Sequence, residues 1–146
     1  MIEICHQVGV KASPEKVYEY LTTDDGLSQW WTNDVTGAGE VGSNIRFRFN
    51  GGGPDFSVVE LVPNELVRWK HSGTIPNAWM ETEILFQLRV DETQTFVRFT
   101  HSNWKESTNF MAHCSTKWAV FLLSLKEVLE TGEGRPFPND IQIDHT

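Results

Sequence analysis

The chain has 146 residues, enough for one domain with a real core. It carries 20 acidic and 12 basic side chains, a formal charge of −8, with no clustered run of Lys and Arg. That balance argues against nucleic acid and against an anionic membrane surface, because both demand concentrated positive charge.

Cys5 and Cys114 are far apart and form no CxxC pattern. Both sit in apolar segments, so they are expected to be buried free thiols in a reducing compartment, the cytoplasm. The N-terminal MetIleGluIleCysHisGln has neither a basic region nor a long apolar run, so no signal peptide is expected. The longest apolar run, 119–123, is too short to span a bilayer. Six Trp and nine Phe exceed what a small core needs for volume. Trp also brings an N–H that wants a partner when buried. This load favours a lined cavity over a merely filled core.

Residues 2–10 alternate, with Ile2, Ile4, His6, Val8 and Val10 against Glu3, Cys5, Gln7 and Gly9, the pattern of a half-buried strand. Ser13 is an N-cap and Pro14 a first helical residue, and the helix runs to about Leu21 with Val17, Tyr18 and Leu21 on one face. Thr23, Asp24 or Asp25 opens a second short helix carrying Leu27, Trp30 and Trp31. Residues 33–43 form a loop with a short strand at 34–38. Strands then follow in series: Ile45, Phe47 and Phe49 opposite Arg46 and Arg48, a GlyGlyGlyPro turn at 51–54, a strand at 56–62, and a strand at 66–71 with Val67, Trp69 and His71 on one face. A connection at 72–78 leads to a strand at 80–90 with Met80, Thr82, Ile84, Phe86, Leu88 and Val90 on one face. The last strand, 95–102, groups Val97, Phe99 and His101.

Residues 107–131 lack Pro and Gly and carry Phe110, Cys114, Trp118, Phe121, Leu122, Leu125, Val128 and Leu129 at helical steps. Ser107, Thr108 or Asn109 caps this helix and Gly132 stops it, giving a rod of roughly 36 Å. The tail is a loop; 141–143 are expected to dock on the sheet, and the extreme C-terminus to fray. The expected fold is α+β: a curved antiparallel sheet of six to seven strands gripping a long C-terminal helix, with two short helices after strand 1, in one domain spanning 1–146.

That pattern resembles the START-like (SRPBCC) superfamily with its helix-grip fold, and within it small homologues of the C-terminal domain of the heat-shock protein 90 ATPase activator. The resemblance rests on AlaSerProGluLysValTyrGluTyrLeuThr at 12–22, TrpTrp at 30–31, Gly42 with ArgPheArgPhe at 46–49, and GluLeuValProAsnGluLeuValArgTrp at 60–69. ValArgPheThrHisSer at 97–102 and the Trp118, Leu122, Leu125 helix complete it. It implies a cavity between sheet and helix but no fixed activity, since members include ligand carriers, cyclases, hydrolytic enzymes and chaperone cofactors. His71 departs from the aromatic residue found there in many relatives.

The chemistry-bearing residues are few. His71, His101 and His113 lack metal-ligand spacing, so no metal and no cofactor is expected. His71 or His101 in an apolar pocket could act as a general base, with Glu60 or Glu83 as carboxylate partner, although alternation puts Glu83 outside. Cys114 reads as an inert buried thiol. GlyGlyGly at 51–53 lacks the Lys and Ser/Thr of a phosphate loop and reads as a flexible hairpin at the cavity mouth. The candidate ligand-binding residues are Trp31, Phe47, Phe49, Trp69, His71, Trp79, Phe86, Phe99, His101, Trp104, Phe110, Cys114, Trp118 and Phe121, with Trp79 and Trp104 at the rim and any pocket under the first half of the long helix. The expected function is binding of a small apolar or aromatic molecule. The alternatives are a cyclase- or hydrolase-type enzyme with a cavity His as base, and a protein-interaction module resembling the chaperone activator. A monomer and a homodimer both remain open.

Overall fold

A computed structural model describes residues 1–143; the expected fraying of the extreme C-terminus falls at 144–146, outside the described residues. The chain runs β1 (Ile2–Val10), α1 (Pro14–Thr22), α2 (Asp24–Ser28), β2 (Asp34–Thr36), β3 (Asn44–Arg48), β4 (Asp55–Val62) and β5 (Leu66–His71). A single 3₁₀ turn at Asn77–Trp79 then leads to β6 (Glu83–Asp91), β7 (Gln94–Trp104) and α3 (Asn109–Thr131). The strands form one antiparallel sheet in the order β1-β7-β6-β5-β4-β3-β2. This is the expected helix-grip architecture: a meander from β2 to β7, extended by β1, against a long closing helix.

Local chemistry sets the helix ends. Ser13 Oγ accepts from Lys16 N at 3.2 Å with Pro14 in the first turn. Thr23 Oγ1 caps α2 from Gly26 N at 3.0 Å. Thr108 Oγ1 accepts from Met111 N at 3.2 Å, and Gly132, at φ 92°, donates to Val128 O. Between those caps α3 buries Cys114, Trp118, Phe121, Leu122, Leu125 and Val128. It also runs along the free edge of β1. Lys126 Nζ donates to the Gly9 carbonyl at 2.6 Å, and Glu130 accepts from Lys11 N at 2.8 Å. His6 Nε2 donates to the Ser115 carbonyl at 3.0 Å.

Several expectations need correction. Trp30 and Trp31 lie in the turn after α2, not on it, because the Trp30 indole donates to Tyr20 O and folds the chain back. β6 begins at Glu83, three residues late: Met80 N still bonds Asn77 O, and Glu81 adopts φ 68°, outside strand geometry. Cys5 is exposed, since alternation in β1 turns it away from the face carrying Ile4. Residues 141–143 do not join the sheet. It is Phe137 that bridges to Thr32, while Lys117 Nζ holds the Ile141 carbonyl at 2.9 Å beside α3. In the Gly51–Gly53 turn, Gly53 passes so close to the strand that a Cβ there would lie 2.0 Å from Phe47 O.

Trp69 shows what the interior depends on. It is 1% exposed and packs its ring 5.7 Å from Phe47, 5.7 Å from Phe56 and 5.3 Å from Phe86. Trp69→Ala is expected to lower unfolding free energy by about 3–5 kcal/mol, measured by urea titration; a loss under about 1 kcal/mol would show that the ring does not bear core packing.

Candidate functional site

Much of the layer between sheet and helix is packed with rings. Phe47, Phe56, Phe86 and Phe99 have no exposed surface, so no water-sized void touches them. Rings continue from sheet to helix, with Phe86 5.4 Å from Phe99 and Phe99 4.5 Å from Trp118. Phe47, Trp69, Phe86 and Phe99 thus sit in this packed layer, as their inward strand positions require.

His71 and His101 both point inward from β5 and β7, with β6 between them and the Trp79 ring 6.3 Å and 4.9 Å from them. Each is tied to neutral groups. His71 Nε2 donates to Ile75 O at 2.9 Å. Trp118 Nε1 donates to His101 Nδ1 at 3.2 Å, which leaves the proton on Nε2 to donate to Thr82 Oγ1 at 3.0 Å. The Thr82 hydroxyl donates onward to Trp79 O. Burial, with the neighbouring His71 charge as a smaller cause, pulls His101 down to about 3. The carboxylates expected as partners lie elsewhere: Glu60 and Glu83 both reach Arg68, half-exposed. Among the described residues no group of three or more His, Cys, Asp or Glu could hold a metal. Trp104 is buried at the end of β7 with its ring 4.8 Å from His101, and its N–H finds no partner among the described residues.

Open space lies one step away, in a cleft of about 240 Å³ on the flank of α3's first half. Seven of the expected residues line it: Trp31, Phe49, Trp79, Phe110, Cys114, Trp118 and Phe121. Phe47, Trp69, His71, Phe86, Phe99, His101 and Trp104 do not, and neither does the Gly51–Gly53 turn. The remaining wall was not anticipated: His113 and Lys117 from α3, and Phe137, Asp140 and Gln142 from the tail. A signal for the helical pair did exist. At about 100° per residue, His113 and Lys117 fall on the same flank as Phe110 and Phe121. For the tail, the Phe in ProPheProAsnAsp is the one hint, and its partner could not be read from spacing.

The cleft is apolar with one ion pair in its wall. Lys117 Nζ bonds the almost fully buried Asp140 carboxylate, and sits 5.0 Å from the Phe121 ring centre. Phe137 N donates to Trp31 O at 2.7 Å and its carbonyl accepts from Asn33 N at 3.2 Å, while its ring lies 5.1 Å from Phe49. The tail is therefore strapped across the cleft at two points, Phe137 and the Asp140–Ile141 pair. Burial pushes the Cys114 thiol up to about 11, against a smaller opposing pull from the Trp79 N–H. That N–H meets no hydrogen-bond geometry among the described residues, sulfur being a weak acceptor. A thiol so placed is a wall and not a nucleophile.

The family model for Activator of Hsp90 ATPase homolog 1-like protein matches residues 11–130. The chain belongs to this family. The solution structure of the Aha1 dimer from Colwellia psychrerythraea is 68% identical to it, over 92% of this chain and 100% of that chain, with a TM-score of 0.86. SSP2350 from Staphylococcus saprophyticus shares the fold at 19% identity, covering 92% of this chain and 97% of that one, TM-score 0.78. DynU16, from the dynemicin biosynthetic locus, does so at 24%, covering 90% and 48%, TM-score 0.75. No curated protein matches. The matched stretch ends before the tail, so Phe137, Asp140 and Gln142 bring to the cleft a wall from outside it. Among the described residues no helix is long and apolar enough to cross a membrane.

Two outcomes follow from this geometry. Between pH 6.5 and about 3 the unfolded chain protonates His101 while the native one does not. Its contribution to stability is therefore complete above about 6.5 and is lost as pH falls toward 3, at up to about 1.4 kcal/mol per pH unit. Denaturant titrations across that range should show a shallower pH slope for His101→Gln than for the parent; equal slopes would contradict it. Lys117→Met removes the cation from a buried carboxylate, which is costly unless the tail swings into water. Faster amide hydrogen exchange confined to 133–142 is expected, and unchanged exchange there would show that the ion pair does not hold the strap.

Proposed function

We propose that the chain binds a small, flat, mostly apolar molecule in the cleft between the first half of α3, Trp31, Phe49 and the tail. The cleft carries this reading: aromatic rings supply burial from several sides, and the few polar groups are gathered at Lys117, Asp140 and Gln142. Its volume lies below the roughly 300–1,000 Å³ of sites for drug-sized ligands, which suits one or two fused rings. Lys117 and Asp140 neutralise each other, favouring an uncharged ligand whose hydroxyl or carbonyl meets Gln142. A cyclase- or hydrolase-type reaction based on His71 or His101 gains no support, since neither hydrogen-bonds a carboxylate among the described residues.

A second reading concerns assembly. A protein 68% identical to this chain is a dimer in solution, which supports a homodimer here as well. The two readings are compatible, because a dimer leaves room for a cleft in each copy.

Binding is tested with neutral naphthols and N-phenyl-1-naphthylamine, followed by Trp emission and by melting temperature. Phe110→Ala and Phe137→Ala each remove a ring from the wall and are expected to weaken binding about 5–30-fold. If no compound in the panel shifts emission or melting, or if both variants bind as the parent does, the ligand reading is lost.

A further inference from the structure

We infer that the outer face of α3, with Ile141 of the tail, is the surface on which a second copy of this chain docks. This rests on the homodimer reading above and says where the contact lies.

Parts of both sheet edges are already engaged. At the end of β1, Lys126 of α3 takes the Gly9 carbonyl and Glu130 accepts from Lys11 N. β2 has three residues, and the next two N–H groups, Gly37 and Ala38, already donate to Asp24 at 3.3 and 2.8 Å. Along β2 a neighbouring strand would find few unpaired donors.

The outer face of α3 is different. Leu123 is 57% exposed on a helix that otherwise buries its large side chains well, and Ile141 is 55% exposed. These two share one groove of about 230 Å³ with Val120, Ser124, Glu127 and Arg135. Of the other exposed apolar residues, Met1 is terminal, Val41 and Ile75 sit in loops, and Val59 and Val90 lie on β4 and β6. Charge narrows the choice further. Two copies each at −8 repel, so their contact must be locally neutral. In this groove Glu127 already holds Arg135, Nε to Oε1 at 3.1 Å, so an apolar stripe is flanked by a compensated pair. A two-fold axis presents the same patch from both sides, laying Leu123 and Ile141 of one copy on those of the other.

The contact would also act on the cleft. Asp140 and Gln142 line the cleft while Ile141, between them, faces the groove, and Lys117 holds both Asp140 and the Ile141 carbonyl. A second copy resting on Ile141 thus pins the cleft's tail wall.

Sedimentation of the full chain at micromolar concentration tests this, with Leu123→Glu, Ile141→Glu and Val90→Glu as variants. The parent and Val90→Glu are expected to be dimers. Leu123→Glu and Ile141→Glu, each counted twice per dimer, should weaken self-association roughly a hundredfold with unchanged circular dichroism. Ile141→Glu lies outside the helix and core, so it reports even if Leu123→Glu fails to fold. A monomeric parent would overturn the homodimer reading itself. A dimeric parent whose Ile141→Glu and Leu123→Glu forms stay dimeric would overturn this surface while leaving the dimer standing.

Discussion

The Trp118 indole is held at two ends, and the position of α3 follows from that. Its ring packs 4.5 Å from Phe99 of the sheet and 4.8 Å from Trp31 of the turn after α2. Its N–H donates to His101, which passes the constraint through Thr82 to the Trp79 carbonyl. Burying four polar groups in sequence is affordable because each donor meets an acceptor. The chain of hydrogen bonds also fixes the His101 tautomer, and with it a neutral ring. A histidine so satisfied orders the interior; it has no lone pair left for a substrate.

The same hub marks where packed rings give way to open space. Phe47, Phe56, Trp69, Phe86 and Phe99 form a buried layer, and Trp118 continues it onto α3. On its other side, Trp118 faces the cleft together with Trp31 and Trp79. One residue is thus the ceiling of the core and the floor of the cleft. Substitutions that change the core in this fold should therefore be separated from those on the cleft flank, since only the latter can alter binding without altering stability.

Much of this was readable from the chain. Alternation placed Phe47, Val67, Trp69, Phe86, Phe99 and His101 on inward faces, and the caps at Ser13 and Gly132 were named outright, while Thr23 and Thr108 were each one of three candidates. Alternation tells which face of the sheet a residue occupies. It does not tell whether a ring or a void stands opposite, so packing residues and cleft residues looked alike. Apolar surroundings in sequence likewise misplaced Cys5, whose strand parity turned it outward. The tail was the least legible part. Phe137 reaches Thr32 across more than a hundred residues, and Asp140 reaches Lys117 from a segment with no period of its own. Such contacts depend on where α3 ends and how the chain turns at Gly132, which only the assembled fold specifies.

The long helix carries three distinct faces, and helical geometry alone keeps them apart. With Trp118 taken as the inward direction, Cys114, Leu122 and Leu125 lie within about 40° of it. Phe110, His113, Lys117 and Phe121 occupy the flank toward the cleft, and Val120, Leu123 and Glu127 the side opposite the sheet. The tail after Gly132 runs back along the boundary between the second and third faces, fastened by Ser124 Oγ to Arg135 N at 2.7 Å and by Lys117 to Asp140. The boundary strap is thus held by side chains of both faces. Asp140 and Gln142 stand in the cleft wall while Ile141 between them faces outward, so one short segment contributes to both surfaces.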